Sequence, residues 1–229
     1  MNTTSSNTKR YSISPLTAEI CYQDESLIVV NKPSGTLAVP GRGEDKQDCL
    51  STQLQQHYPT ALVVHRLDRD TSGLMVFALT KTVQRQLGMA FSERAVSKKY
   101  QAVIQGQLSC EYGEISLPLI KDWPNRPKQK VDYLNGKPSR TCYHCLHYNK
   151  FSDWSYVEIM PVTGRTHQIR VHMQAIQHAI IGDALYHPES VKSAPRLLLH
   201  ASHLAFPHPT HDRMIQINCK TEFFDYSRL

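Results

Sequence analysis

Short apolar runs of strand length recur along this chain, and helical periods seldom come between them. Residues 26–33 (SLIVVNKP) read as a buried strand stopped by Pro33, with Ser34-Gly35 as a turn. Residues 74–79 (LMVFAL) are a second run. In residues 98–105 (KKYQAVIQ), Tyr100, Ala102 and Ile104 share one face of a third. Residues 141–148 and 155–160 look like an antiparallel pair, and 197–201 and 214–219 supply the last apolar segments. Helical spacing appears in three places. Leu50, Leu54 and Tyr58 share a face behind a cap at Asp48; Val83, Leu87, Ala90 and Phe91 form a stripe behind Thr80. Ile169, Met173 and Ile176 keep the period in a helix from Thr166. Strands outnumber helices and do not alternate with them. The expected class is α+β, with a mixed, mainly antiparallel sheet core and flanking helices and loops.

Between the runs 62–64 and 74–79 lies a polar island, VHRLDRDTSGL. It packs Arg66 and Arg69 beside Asp68 and Asp70. Burying such groups unpaired is costly, so the island belongs on a loop that a rigid scaffold presents. Spacing and charge leave its two carboxylates equivalent. Either fits a chemical role, and either fits a turn cap paired to a neighbouring arginine.

The chain's 229 residues fit one large domain or two small ones and can bury a real core. A net charge of +6 and a pI near 9.0 give mild support to a polyanionic partner. The longest apolar runs are too short to cross a bilayer, and the N-terminus lacks the apolar stretch of a secretory signal. Residues 1–20 read as a flexible polar arm and 21–229 as the folded domain. The cysteines Cys21, Cys49, Cys110, Cys142, Cys145 and Cys219 are scattered, so reduced thiols and a cytoplasmic location are expected.

Several chemistries find no footing. Cys142, Cys145 and His147 invite a zinc reading, but Cys142 and Cys145, three apart on a strand, point to opposite faces. His167 and His172 are five apart, not the four that a zinc helix uses. Dinucleotide, P-loop and hydrolase-elbow motifs are missing. The proline-rich segment 121–138 lacks a period and reads as a long surface loop or irregular hairpin. Its Arg126, Lys128 and Lys130, interleaved with Trp123 and Tyr133, suit a phosphate backbone as well as they suit plain solvent exposure. Arg165, just ahead of a helix N-terminus, suits an anion or a structural ion pair.

Residues 65–73, HRLDRDTSG, resemble the HRLDxxTSG signature of the RluA-type pseudouridine synthases. The likeness continues through VNKPSG at 30–35, Lys99-Tyr100, PVTGRTHQIRVH at 161–172, IGDALY at 181–186, LHA at 199–201 and FPHP at 206–209. Residues 122–131, DWPNRPKQKV, further resemble the RluA branch, whose members act on both a tRNA and 23S rRNA. About twenty mostly polar residues before the first strand leave no room for the S4 RNA-binding domain of many relatives, which matches that branch. The resemblance implies the pseudouridine synthase catalytic fold and an isomerase acting on structured RNA. It implies Asp68 as the catalytic aspartate, with Tyr100 against the target uracil and Arg165 paired to Asp68. It further implies that Arg66 fills the space left by a flipped uridine and that Ile169 lines the pocket. A monomer suffices, and no cofactor or metal is implied.

That chemistry suits these residue types. The reaction breaks N1–C1′, turns the uracil and joins C5 to C1′ without net redox change. One ionised carboxylate can attack C1′, add to C6 or remove the 2′ proton. The base must leave its stack, at roughly a few kcal/mol. Two rivals stand beside this reading. A non-catalytic RNA-binding or chaperone protein on the same fold would show salt-dependent affinity alone. A glycosidase-like hydrolase would need a second catalytic carboxylate.

Overall fold

The computed structural model describes residues 13–221 and 223, which a ten-stranded mixed sheet organises. The strands are β1 (Glu19–Gln23), β2 (Leu27–Lys32), β3 (Leu62–Val63), β4 (Ser72–Ala78), β5 (Ser97–Gln105), β6 (Tyr112–Ser116), β7 (Leu119–Lys121), β8 (Gln129–Val131), β9 (Arg140–Asn149), β10 (Trp154–Pro161), β11 (Leu199–Pro207) and β12 (Met214–Asn218). Three α-helices accompany them: α1 (Leu50–His57), α2 (Lys81–Ser92) and α3 (Gln168–Ala175). The sheet runs β1-β2-β4-β11-β5-β10-β9-β6, with β3 beside β4 and β12 beside β11, while β7 and β8 form a separate hairpin. The β4–β11 pairing is parallel and the others are antiparallel. The expected α+β class holds.

The apolar runs are continuous because both faces of the sheet are covered. Val29, Leu74 and Val76 pack with Val83 and Leu87 of α2 on one face. The alternate residues Ile28, Val30, Met75 and Phe77 pack with Leu50 and Leu54 of α1 on the other. Further along the sheet, Ala102, Ile104, Val157 and Ile159 meet Ile169 and Met173 of α3. Tyr100 stands half-buried between this cluster and the α1 cluster.

Several boundaries differ from expectation. Cys49, not Asp48, occupies the N-cap of α1, because the Thr52 hydroxyl reaches back to accept the Cys49 N–H. Asp48 instead accepts hydrogen bonds from Ser14 and Gln53. Helix α3 starts at Gln168, two residues late, because His167 adopts a left-handed φ of 54°. The strand expected at 197–201 begins at Leu199 and runs to Pro207. The boundary drawn at residue 21 falls inside β1, and Leu16 and Ala18 pack on the α1 cluster. Residues 1–12 of the expected arm lie outside the described residues. No helix among the described residues is long and apolar enough to cross a membrane.

Candidate active site

The polar island lies on the loop between β3 and β4, and its backbone is fastened from both sides. Lys32, fully buried at the end of β2, donates through Nζ to the carbonyls of Pro33, Thr36 and Arg69 at 2.8–2.9 Å. Burial pulls its pKa down to about 7, against the attraction of Asp70 and Asp68. Gly35 N–H also donates to the Arg69 carbonyl, and the Ser34 hydroxyl donates to that of Asp70. At the far end of the loop, the Ser72 hydroxyl meets His200 at 2.8 Å and the Arg196 guanidinium. His65, the first residue of the signature, is a mooring. Its ring stacks on Phe91 at 4.5 Å and its Nε2 accepts the Val76 N–H. Burial pushes its pKa down to about 3, so the imidazole stays a neutral acceptor.

These fastenings aim Asp68 at a cavity of about 140 Å³. Tyr100, Ile169, Leu199 and Arg165 line it with Asp68 and Arg66. A wider groove of about 510 Å³, between the loop at 37–41 and Pro127, meets it along Arg66, Leu67, Asp68, His167 and Arg170. Asp68 therefore lines both the small cavity and the larger groove. Burial pushes the Tyr100 hydroxyl well above the usual phenol range, and the Asp68 charge adds to this. At neutral pH it remains a protonated, stackable ring. Ile169 is buried with its side chain in the cavity wall. Arg66 is exposed and makes no ion pair among the described residues. Asp70, in contrast, pairs with Arg69 at 2.9 Å, as the turn-capping reading has it.

The expected pairing of Arg165 with Asp68 needs correction. The carboxylate's cationic neighbour is Arg170, whose Nη1 lies 3.5 Å from Oδ2; His167 Nε2 stands 3.8 Å from the same oxygen. Both contacts fall on Oδ2. Arg165 sits on an exposed turn instead, its backbone N–H donating to Gln168 Oε1. Gln168 also accepts from the Thr163 hydroxyl and donates to the Arg140 carbonyl and Thr141, pinning that turn to β9. Among the described residues the Arg165 guanidinium makes no ion pair, and the residue lines the cavity.

Arg126, Lys128 and Lys130 lie on or beside the β7–β8 hairpin, with Arg126 and Lys130 exposed. Trp123, 61% exposed, gathers Lys121 at 4.2 Å and Arg126 at 5.3 Å from its ring centre. The segment at 121–138 is thus the irregular hairpin alternative, carrying a cationic aromatic tip. Cys142 and Cys145 point to different partners, Glu114 and the His147 carbonyl, as divergent strand residues do.

Sequence reasoning passed over Arg170, His167 and Tyr186, all inside motifs already quoted. Residues 167 and 170 are three apart, the spacing that shares a helix face. That spacing was the signal available.

A base-sized cavity with a carboxylate at its mouth, beside a groove rimmed by cations, suits an enzyme that works on a base extruded from RNA. This chain belongs to the RNA pseudouridylate synthase family, whose model matches residues 26–175. It is an isomerase that converts uridine in RNA to pseudouridine. The chain is 48% identical over 205 residues to the dual-specificity RNA pseudouridine synthase RluA of Escherichia coli strain K12, spanning 89% of this chain and 93% of that one. Its likeness to the RluA of Yersinia pestis is also 48%, over 89% and 99% of the two chains. Among solved structures, human RNA pseudouridylate synthase domain containing 1 superposes with a TM-score of 0.77 at 28% identity, covering 93% of this chain and 87% of that one.

Proposed function

We propose that Asp68 is the catalytic carboxylate and that the enzyme modifies uridines in two kinds of RNA, a tRNA anticodon stem-loop and a hairpin of 23S rRNA. The observation that carries the catalytic reading is the place of Asp68, at the junction of the small cavity and the groove, with Tyr100 in the cavity wall. The dual-specificity name of the relatives supports the plural substrates. Two RNAs share one site when recognition rests on loop shape and phosphates rather than on base edges.

In this reading the uracil enters between Tyr100 and Ile169 while the backbone follows the groove. Arg66, unpaired at the junction, takes the stacking space vacated by the base. Arg170 holds Oδ2 and so turns Oδ1 toward the ribose. Arg165 neutralises a phosphate at the mouth, and Arg126, Lys128 and Lys130 grip phosphates farther along. The protein works in the cytoplasm as a monomer.

Asp68→Asn tests the assignment with RNA carrying tritium at uracil C5, which is released when C5 joins C1′. Release is expected to vanish while RNA binding persists, and Asp70→Ala is expected to keep its activity. Undiminished release from Asp68→Asn would overturn the assignment. Release of free uracil by the wild-type enzyme would point to hydrolysis instead.

A further inference from the structure

The β7–β8 hairpin reaches Asp68 through one backbone amide and two side chains that the proposed reaction leaves idle. Gln129 N–H on β8 donates to Tyr186 Oη at 2.7 Å. Tyr186 Oη lies 2.7 Å from His167 Nδ1, and His167 Nε2 lies 3.8 Å from Asp68 Oδ2. The donor and acceptor inventory sets the direction of this chain. The phenol oxygen already accepts from Gln129, and Nδ1 is the acceptor within reach of its own proton among the described residues. With the hydroxyl assigned as donor to Nδ1, the imidazole presents Nε2–H to the carboxylate.

The surroundings hold this arrangement. The Tyr186 ring lies under the Arg170 guanidinium at 5.1 Å and packs with Val171 and Leu119, while Val131 of β8 joins the same cluster. His167 takes the left-handed backbone conformation, which few residues other than glycine adopt and which places its ring over the loop. Asp68 and Arg66 from the loop, Arg170 on α3, and Asp183 and Tyr186 from the following segment face that ring. Burial lowers the His167 pKa more than Asp68 raises it, so the imidazole is neutral at pH 7.

We propose that His167 is a positioning residue for Asp68, held in its Nε2–H tautomer by Tyr186, and that this chain ties the setting of Asp68 to the seating of the RNA-gripping hairpin. The inference rests on the reading of Asp68 as the catalytic carboxylate. At 3.8 Å the last contact is open by less than an ångström, the state in which such contacts often rest before substrate arrives. RNA that engages the hairpin moves β8, and with it Tyr186 and His167, onto Oδ2. RNA that misses the hairpin leaves the carboxylate less well held.

Tritium release from C5-labelled RNA under steady-state conditions tests this with Tyr186→Phe and His167→Asn. The first keeps the ring over Arg170 and removes the hydroxyl. The second keeps a residue that tolerates the left-handed conformation and removes the Nε2–H. In both, kcat is expected to fall roughly tenfold, the scale of one charge-assisted hydrogen bond. RNA binding should be unchanged, so that the loss falls on kcat and not on KM. Combining Tyr186→Phe with Lys128→Ala should cost no more kcat than Tyr186→Phe alone. An unchanged kcat in Tyr186→Phe, or a loss that follows a lowered melting temperature or a raised KM, overturns the positioning role. Additive losses in the double variant overturn the tie to the hairpin. If Asp68→Asn were active, the catalytic reading itself would fall, a result separate from all of these.

Discussion

At the scale of single residues, two arginines five positions apart have different fates. Arg165 falls in the turn before α3 and faces solvent, whereas Arg170 falls inside the helix, 3% exposed, beneath the loop. Arg170 makes a bidentate pair with Asp183, both bonds 2.7 Å, before it ever meets Asp68. Burial alone would lower its pKa, but the Asp183 hydrogen bonds and charge outweigh that and raise it. A fixed guanidinium costs little reorganisation when it holds a reacting carboxylate. Removing one partner from such a buried pair leaves the other charged and unpaired. Asp183→Ala is therefore expected to lose about 3–5 kcal/mol in urea denaturation. A loss below about 1 kcal/mol would mean that the cation is supported from elsewhere. Arg165→Ala, on its exposed turn, should leave the unfolding midpoint where it was.

At the scale of elements, the loop is set by the one parallel contact in the sheet. Gly73, the second residue of β4, has φ +114° and lies directly across from Ala201 of β11. A Cβ there would sit 2.3 Å from the Ala201 carbonyl oxygen, so no side chain fits. The signature's glycine thus serves strand packing, and it seats the carboxylate five residues earlier by fixing where β4 begins. Gly73→Ala must separate the strands or break the conformation, and a loss of at least roughly 3 kcal/mol is expected. Thermal unfolding reads this directly, and a wild-type midpoint would refute it. Strands β2, β4 and β5 were legible because buried strands write continuous or alternating apolar runs. Strands β1 and β6 were not, since each leaves mostly exposed or half-exposed positions at a sheet edge and buries little. The hairpin at 121–138 was legible as irregular, but its docking on Tyr186 depends on residues far along the chain.

At the scale of the whole molecule, the two ends of the described fold are knotted together at Asp24, in the turn between β1 and β2. Its carboxylate accepts from Tyr22, from the Ser26 and Leu27 backbone, and from His208 beyond β11. Burial pushes the Asp24 pKa up, but these hydrogen bonds outweigh it and hold the group at about 2, against an ordinary value of 3.8. A carboxyl depressed on folding contributes its full stability above pH 3.8 and loses it as pH falls through about 2. The contribution is at most about 2 kcal/mol, less where solvent screens it. Asp24→Asn should be less stable than wild type at pH 7, with the gap closing as the pH falls below 3.8. Acid titration of both proteins followed by circular dichroism checks this, and a gap that stays constant to pH 2 would contradict it.

Sequence by itself determined the class of the fold, the loop that carries the site, and the family. Each is a local matter, since strand alternation, the crowding of charge into the island and ordered motifs are all written in neighbouring residues. Tertiary structure decided which arginine meets Asp68, which oxygen it holds, and that His167 and Tyr186 lie between the hairpin and the carboxylate. The contacts with Asp68 join residues about a hundred positions apart, which no local pattern records.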